Sequence, residues 1–180
     1  MEKIILTALL LGLSASGLHA QQPQTEPTFT EWHDLQTNAV NRFTTHTDFF
    51  AFSPYEGLTL KKYDRKLSTN YLSLDGDWKF NWVEHANQRP TDFFRTDYDD
   101  SQWKTLHVPG IWEMNGYGDP VYVNVGFAWR GNFKNNPPEV PIQDNHVGSY
   151  RRTITIPDNW TGKQVIAHFG SVTSCIYLWV

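Results

Sequence analysis

The sequence predicts an all-β fold, built as a sandwich of short strands, and three observations support this prediction. Apolar residues alternate with polar ones along several short segments, which is the period of a half-buried strand. Clusters of Gly, Pro, Asn and Asp separate those segments and are typical of turns. Residues 31–180 contain no stretch of ordinary helical length with the apolar spacing of a helix.

The first strand signal follows a turn at Asp75-Gly76. Trp78, Phe80 and Trp82 alternate with polar residues, so their side chains share one apolar face of a strand. Residues 84–103 are polar and predict a loop, with a single helical turn at 91–94.

Extended chain is expected again where Leu106 and Val108 lead into Pro109. Residues 126–147 form a long, proline-bearing loop, a feature that is usually functional or part of an interface.

Three further strands are expected in the last third of the chain. Residues 148–156 and 164–169 alternate between two kinds of side chain, as half-buried strands do. Residues 175–180 are apolar on both faces, which predicts a strand in the middle of a sheet. No turn residue follows this last pattern, so we expect the sandwich to be incomplete at its C-terminal end.

The N-terminal part divides into a leader and an arm. Residues 1–20 have a positive start at Lys3, an apolar run and a small residue at Ala20, the layout of a secretory signal peptide. Its apolar run is too short for a membrane span. A buried N-terminal helix is the alternative. Residues 21–63 are expected to be a linker and extended arm, and residues 64–180 the sandwich domain. Export to a periplasm or to the outside of the cell follows from the signal peptide.

Composition excludes several other classes of function. The net charge is −4 and no basic run exceeds two residues, so nucleic-acid binding is not indicated. The single cysteine, Cys175, excludes an internal disulfide and a cysteine-based zinc site. The seven His are scattered without the spacing of a metal-binding helix, so no metal is expected.

Five aromatic and turn signatures follow one another between Leu74 and Val125, at residues 74–80, 99–103, 108–112, 115–118 and 121–125. In that order they resemble the N-terminal sugar-binding domain of glycoside hydrolase family 2, in its large β-galactosidase branch. Upstream, Asn41-Arg42, His46 and Phe50 are similar to the family's arm motif. The resemblance covers residues 31–180 and implies a jelly-roll sandwich of the galactose-binding type.

The resemblance also implies a sugar site. Asn124 matches the asparagine of the family's Tyr-x-Asn-Val motif, which hydrogen-bonds galactose. Trp112 and Tyr117 flank the same loops and are expected to be wall residues. The alternatives are that Asn124 stabilises its own turn and that Trp112 packs in the core. Residues 126–130 depart from the family's pattern, so the geometry of the neighbouring loop is expected to differ.

No catalytic residue is predicted here. In the family both catalytic glutamates lie on a later (β/α)₈ barrel that this sequence does not contain, and full-length members often use Mg and Na. No cofactor is assigned to this chain. The acidic run at 97–100 is interpreted as a solvated turn, and Glu113 is a weaker candidate still.

The expected function is therefore that of the sugar-binding domain of an exported, retaining β-galactosidase, inactive without its barrel. The expected partners are a β-galactoside, the missing barrel domain and, in the full-length form, a homo-oligomer. Two alternatives are a stand-alone carbohydrate-binding module and another family 2 hydrolase, a β-glucuronidase or β-mannosidase. The Tyr-x-Asn-Val match and the long loop favour the galactosidase branch.

Overall fold

A computed structural model describes residues 31–56, 64–120, 139–173 and 175–180. Its strands are β1 (Gly76–Val83), β2 (Lys104–Val108) and β3 (Val147–Arg151). The described residues also contain short 3₁₀ helices at Glu31–His33, Arg65–Leu67, Ala86–Gln88, Trp112–Asn115 and Asp158–Trp160. None of the helices in the described part of the chain has the length and apolar character needed to cross a bilayer. The predicted signal peptide and residues 21–30 and 57–63 of the predicted linker and arm lie outside the described residues.

The three strands form one antiparallel sheet in the order β2-β1-β3. β1 is central because its apolar residues meet partners on both sides: Trp78 lies opposite Leu106, and Phe80 lies opposite Tyr150. Phe80 is 1% exposed and Leu106 2% exposed, and together with Ala86 they form the buried apolar core of the described residues. The strand predicted from the alternation at 78–82 is confirmed. The antiparallel sheet is consistent with the predicted all-β domain.

Arg151, the last residue of β3, holds the 91–103 loop against the sheet. Its guanidinium donates to the backbone carbonyls of Arg95 (2.9 Å) and Tyr98 (3.1 Å) and to the carboxylate of Asp100. It also lies over the ring of Tyr98, 5.5 Å from the centroid. These charge-assisted contacts explain how a polar segment without regular structure keeps a fixed position.

Within that loop the expected helical turn is a single hydrogen-bonded turn, shifted by one residue, in which the Arg95 N–H donates to the Asp92 carbonyl at 3.0 Å. The acidic run divides in two. Asp99 accepts a local hydrogen bond from the Ser101 N–H at 2.9 Å, as a turn residue does. Asp100 is paired with Arg151 and only 27% exposed, so it is not a solvated side chain.

The last third of the described chain departs from the strand predictions. β3 ends at Arg151 rather than at 156, and residues 152–156, 164–169 and 175–180 form no sheet ladder with the described strands. Ile154 and Ile156 are each 42% exposed. The alternation of apolar and polar residues indicates which side chains share a face of extended chain. A strand in a sheet also needs a neighbouring strand to pair with. The prediction that 175–180 is a central strand is not met within the described residues, because that segment has neither a paired strand nor burial on both faces.

The described arm, residues 31–56, is held at its start and towards its end, and most of the residues between are exposed. At its start, the Trp32 N–H donates to the Tyr177 hydroxyl at 3.2 Å. At its end, the Glu56 carboxylate accepts hydrogen bonds from the hydroxyl of Ser68 (2.8 Å), from the hydroxyl and N–H of Thr69 (both 2.6 Å) and from the Ser53 N–H (3.1 Å). The arm is therefore extended chain anchored by side-chain hydrogen bonds.

Glu56 makes this anchor sensitive to acid. Hydrogen bonds from Thr69 and Ser68 lower the pKa of Glu56 from 4.5 to about 2. Because the folded state favours the ionised form of Glu56, this carboxylate contributes to the free energy of unfolding at pH values above 4.5. The contribution is lost as the pH falls through about 2. We expect Glu56→Gln to lower the Tm at neutral pH, and the difference from the unsubstituted chain to shrink steadily across that acid range. Circular dichroism melts at a series of pH values measure both quantities.

The matched control is Glu84→Gln, at an exposed glutamate outside this network. It is expected to leave the Tm nearly unchanged. A Tm difference for Glu56→Gln that stays constant throughout the acid range would contradict this account of the anchor.

Candidate functional site

The candidate site is built on an aromatic cluster around Phe80, at the middle of β1. The Trp112 ring stacks on Phe80 with centroids 6.3 Å apart, and the Tyr117 ring meets it edge-on at 5.0 Å. Tyr150, the cross-strand partner on β3, packs at 4.7 Å. Edge-to-face and offset contacts of this kind stabilise beyond the area they bury. The two predicted wall residues, Trp112 and Tyr117, are thus brought together on one core side chain.

Gly148 allows Trp112 to lie directly on β3. A Cβ at Gly148 would lie 2.5 Å from Trp112 Cζ3 and 2.9 Å from Phe80 Cε2, closer than real contacts allow. The indole nitrogen of Trp112 is buried and has no hydrogen-bond partner among the described residues. The ring of Trp112 therefore packs on the core, and only part of the residue remains at the surface.

The turn that carries both rings is closed by a glycine. The 3₁₀ helix Trp112–Asn115 ends at Gly116, whose φ of 85° is the left-handed conformation that glycine adopts most readily. The Tyr117 N–H then donates to the Trp112 carbonyl at 3.2 Å, and the Asn115 amide donates to the Ile111 carbonyl at 2.9 Å. The Asn-Gly pair of the sequence signature is thus the cap that turns Tyr117 back over Phe80.

His146 and Trp82 extend the cluster, although the sequence did not predict either of them as a site residue. The two rings lie 5.0 Å apart, and Trp82 also approaches Tyr117 at 6.3 Å. A Cβ on Gly118 would lie 3.1 Å from both Cε1 and Nδ1 of His146, so the histidine edge rests on the glycine backbone. The available signal was the alternation that places Trp82 on the same face as Phe80.

The 112–115 turn of the candidate site carries one carboxylate, that of Glu113. Burial raises the pKa of Tyr150, and the nearby Glu113 carboxylate raises it further, so the phenol stays protonated at neutral pH. Elsewhere in the described residues, the pKa values of the shifted carboxyl groups (Asp34, Asp48, Glu56, Asp97 and Asp99) are all lowered. The described residues bring together no group of three or more side chains suited to a metal ion. The described part of the candidate site presents mainly aromatic rings.

Asn124 lies outside the described residues, as do residues 126–138 of the predicted long loop. The described chain approaches Asn124 through Gly118, whose φ is 67°, and then through Asp119-Pro120. Of the three predicted sugar-binding residues, the structure therefore places Trp112 and Tyr117. Pro120 is the last described residue before the segment that contains Asn124.

The Gly148 contact predicts a specific sensitivity to one methyl group. Gly148→Ala forces Trp112 or Phe80 to move, and overpacking of this kind costs about 1–3 kcal/mol of the free energy of unfolding. Urea denaturation followed by tryptophan fluorescence measures the loss. Gly170→Ala is the control, because a Cβ there meets only His168 Nε2, at 3.8 Å. Equal stability of the two variants would show that Trp112 does not pack on β3.

Comparison with known proteins identifies a family for this chain. The family described as glycosyl hydrolases family 2, sugar binding domain, matches residues 71–180. The chain is 35% identical over 147 residues to a β-galactosidase of Halalkalibacterium halodurans, and 33% identical over 156 residues to one of Streptococcus thermophilus. It is 30% identical over 159 residues to a β-galactosidase large subunit of Leuconostoc lactis.

These alignments cover 82%, 87% and 82% of this chain but only 14%, 15% and 24% of the respective relatives. The chain therefore spans a small part of the length of the proteins it matches. Its signatures, its sheet and its aromatic cluster all fall within the matched residues 71–180. The chain belongs to glycosyl hydrolase family 2, through that family's sugar-binding domain.

Proposed function

We propose that this chain is the sugar-binding part of a retaining β-galactosidase, that it forms one wall of the galactose site, and that it has no turnover of its own. The observation that carries this proposal is the packing of the 112–118 turn on Phe80, through the rings of Trp112 and Tyr117. This turn comes immediately before the segment of sequence that contains Asn124. In this proposal the domain is a jelly-roll sandwich, and residues 1–20 direct its export.

Recognition of a sugar requires a surface for C–H groups and fixed partners for hydroxyl groups. Tyr117 supplies a half-buried ring beside the segment that continues towards Asn124. An asparagine amide offers both donors and an acceptor, which suits a pair of neighbouring hydroxyl groups. Trp112 has a different role in this proposal. Its ring packs on Phe80 and holds the turn in place, and the part of the residue that remains exposed borders the sugar.

Bond cleavage would need groups of another kind. Retaining glycosidases use two carboxyl groups about 5 Å apart, and the acid among them has a raised pKa. The shifted carboxyl groups of the described residues have lowered pKa values, which makes them hydrogen-bond acceptors and poor proton donors at neutral pH. In this proposal the catalytic carboxyl groups belong to polypeptide beyond the matched part of the relatives.

Asn124→Ala tests the sugar contact. Loss of one amide that bonds two hydroxyl groups is expected to weaken galactose binding roughly thirtyfold, because each of the two net hydrogen bonds contributes about 1 kcal/mol. Titration calorimetry or protein-observed NMR with galactose measures the Kd. Asn159→Ala, at an exposed asparagine in the Asp158–Trp160 turn, is the matched control and should bind like the unsubstituted chain. Unchanged binding by Asn124→Ala would exclude Asn124 from the site.

The absence of turnover is tested separately with a nitrophenyl β-galactoside. We expect no release of nitrophenol by the purified chain above the buffer rate, since the acid and nucleophile are not supplied. Release that co-purifies with the chain through two different chromatographic steps would contradict the proposal. Galactose binding without release of nitrophenol is expected from this proposal and also from the alternative of a stand-alone carbohydrate-binding module. A galactose Kd as tight as that of a dedicated lectin would favour the module.

A further inference from the structure

Asn115-Gly116 is the one asparagine-glycine pair in the sequence. Because glycine has no side chain, the backbone nitrogen after Asn115 is open to approach by the carbon of the asparagine amide. Asn115 is exposed, and a Cβ on Gly116 would meet no atom of the described residues within 4 Å, its chain neighbours aside. Among the described residues, then, packing does not shield this pair.

An asparagine-glycine pair can undergo deamidation, for which water is the only co-reactant. The backbone nitrogen of Gly116 gives its proton to hydroxide and attacks Cγ of Asn115. A carbon–nitrogen bond forms, and the side-chain nitrogen leaves as ammonia with a proton from water. A second water then opens the resulting five-membered ring at one of its two carbonyl carbons, which gives an aspartyl or an isoaspartyl residue.

Hydrogen bonds in the folded turn hold both reacting groups. The Asn115 amide donates to the Ile111 carbonyl at 2.9 Å. The Gly116 N–H donates to the Glu113 carbonyl at 3.4 Å. Both bonds have to break before the nitrogen of Gly116 can reach Cγ of Asn115.

The backbone conformation also opposes the reaction. The ring closes only when the Gly116 nitrogen is eclipsed with the Cβ of Asn115. Asn115 is the last residue of the 3₁₀ helix Trp112–Asn115. In such a helix ψ is about −20 to −30°, which turns the following nitrogen away from Cβ by roughly a right angle. Deamidation therefore requires the turn to open.

We propose that Asn115 is a deamidation site of this chain and that the 112–118 turn controls the reaction. The closed turn protects Asn115, and each opening exposes it to attack. The Trp112 ring, which packs on Phe80 and on the backbone of Gly148, keeps the turn closed. The rate of deamidation therefore reports how often this part of the structure opens.

The reaction would change the turn permanently. Either product replaces the amide donor of Asn115 with a carboxylate, which cannot donate to the Ile111 carbonyl. The isoaspartyl form also adds a methylene group to the backbone just before Gly116. The hydrogen bond from the Tyr117 N–H to the Trp112 carbonyl, which turns Tyr117 over Phe80, spans this point. We expect the deamidated chain, separated by ion exchange, to have a lower Tm than the unmodified chain.

Mass spectrometry of peptides from the full chain tests the protection. The chain is incubated in mildly alkaline buffer with and without urea, and the aspartyl and isoaspartyl forms of residue 115 are followed over time. We expect both forms to appear in urea, and to appear at least roughly tenfold more slowly in the folded chain. Asn38 and Asn159, which precede Ala39 and Trp160, are internal controls and should react more slowly than Asn115 in urea.

Gly148→Ala tests the link between packing and modification. By displacing Trp112 it should raise the rate at Asn115 in the folded chain by roughly fivefold or more, and leave the rate in urea unchanged. Gly170→Ala is the matched control and should change neither rate. Absence of product at residue 115 in urea, equal rates with and without urea, or equal effects of the two variants would overturn the proposal. None of these outcomes bears on galactose binding, so the two proposals fail independently.

Discussion

The burial of Phe80 is the constraint on which the rest of the described structure depends. It lies at the centre of the middle strand and is the most deeply buried large side chain of the described residues. Three aromatic rings from two parts of the chain pack on it: Trp112 and Tyr117 from the 112–118 turn, and Tyr150 from β3. A side chain with contacts in so many directions fixes the sheet and the 112–118 turn together. The site therefore takes its geometry from the same packing that stabilises the sheet.

This arrangement explains why Trp112 could be interpreted from sequence either as core or as site wall. Its ring lies on the backbone of Gly148 and its nitrogen is buried, both properties of a core residue. Its backbone begins the 3₁₀ turn that brings Tyr117 over Phe80. Residues of this kind position a binding surface through the core, so a change in their packing alters both stability and the shape of the surface.

Local patterns predicted what depends on neighbours in sequence, and failed where distant segments meet. The alternation around Phe80 gave β1 correctly, since the period of a strand is local. The same reasoning applied to 175–180 predicted burial on both faces, whereas the structure buries only the face of Tyr177 and Trp179. Apolar composition cannot reveal which face finds a partner. His146 was missed for a similar reason, because its place beside Trp82 follows from the pairing of β3 with β1.

The charges of the described residues bear on how recognition and chemistry are divided. Each shifted carboxyl group has its pKa lowered by a donor: Arg65 for Asp48, Thr69 for Glu56, and Arg95 for Asp97. A general acid for glycoside cleavage needs the opposite, a carboxyl group whose anion is destabilised by burial or by a like charge. In the proposed function, these carboxylates accept hydrogen bonds, and delivery of a proton to a leaving oxygen is assigned to other residues. The chain spans 14% and 15% of two of its relatives, and in the proposed function the groups that deliver the proton belong to the unmatched part of such a protein.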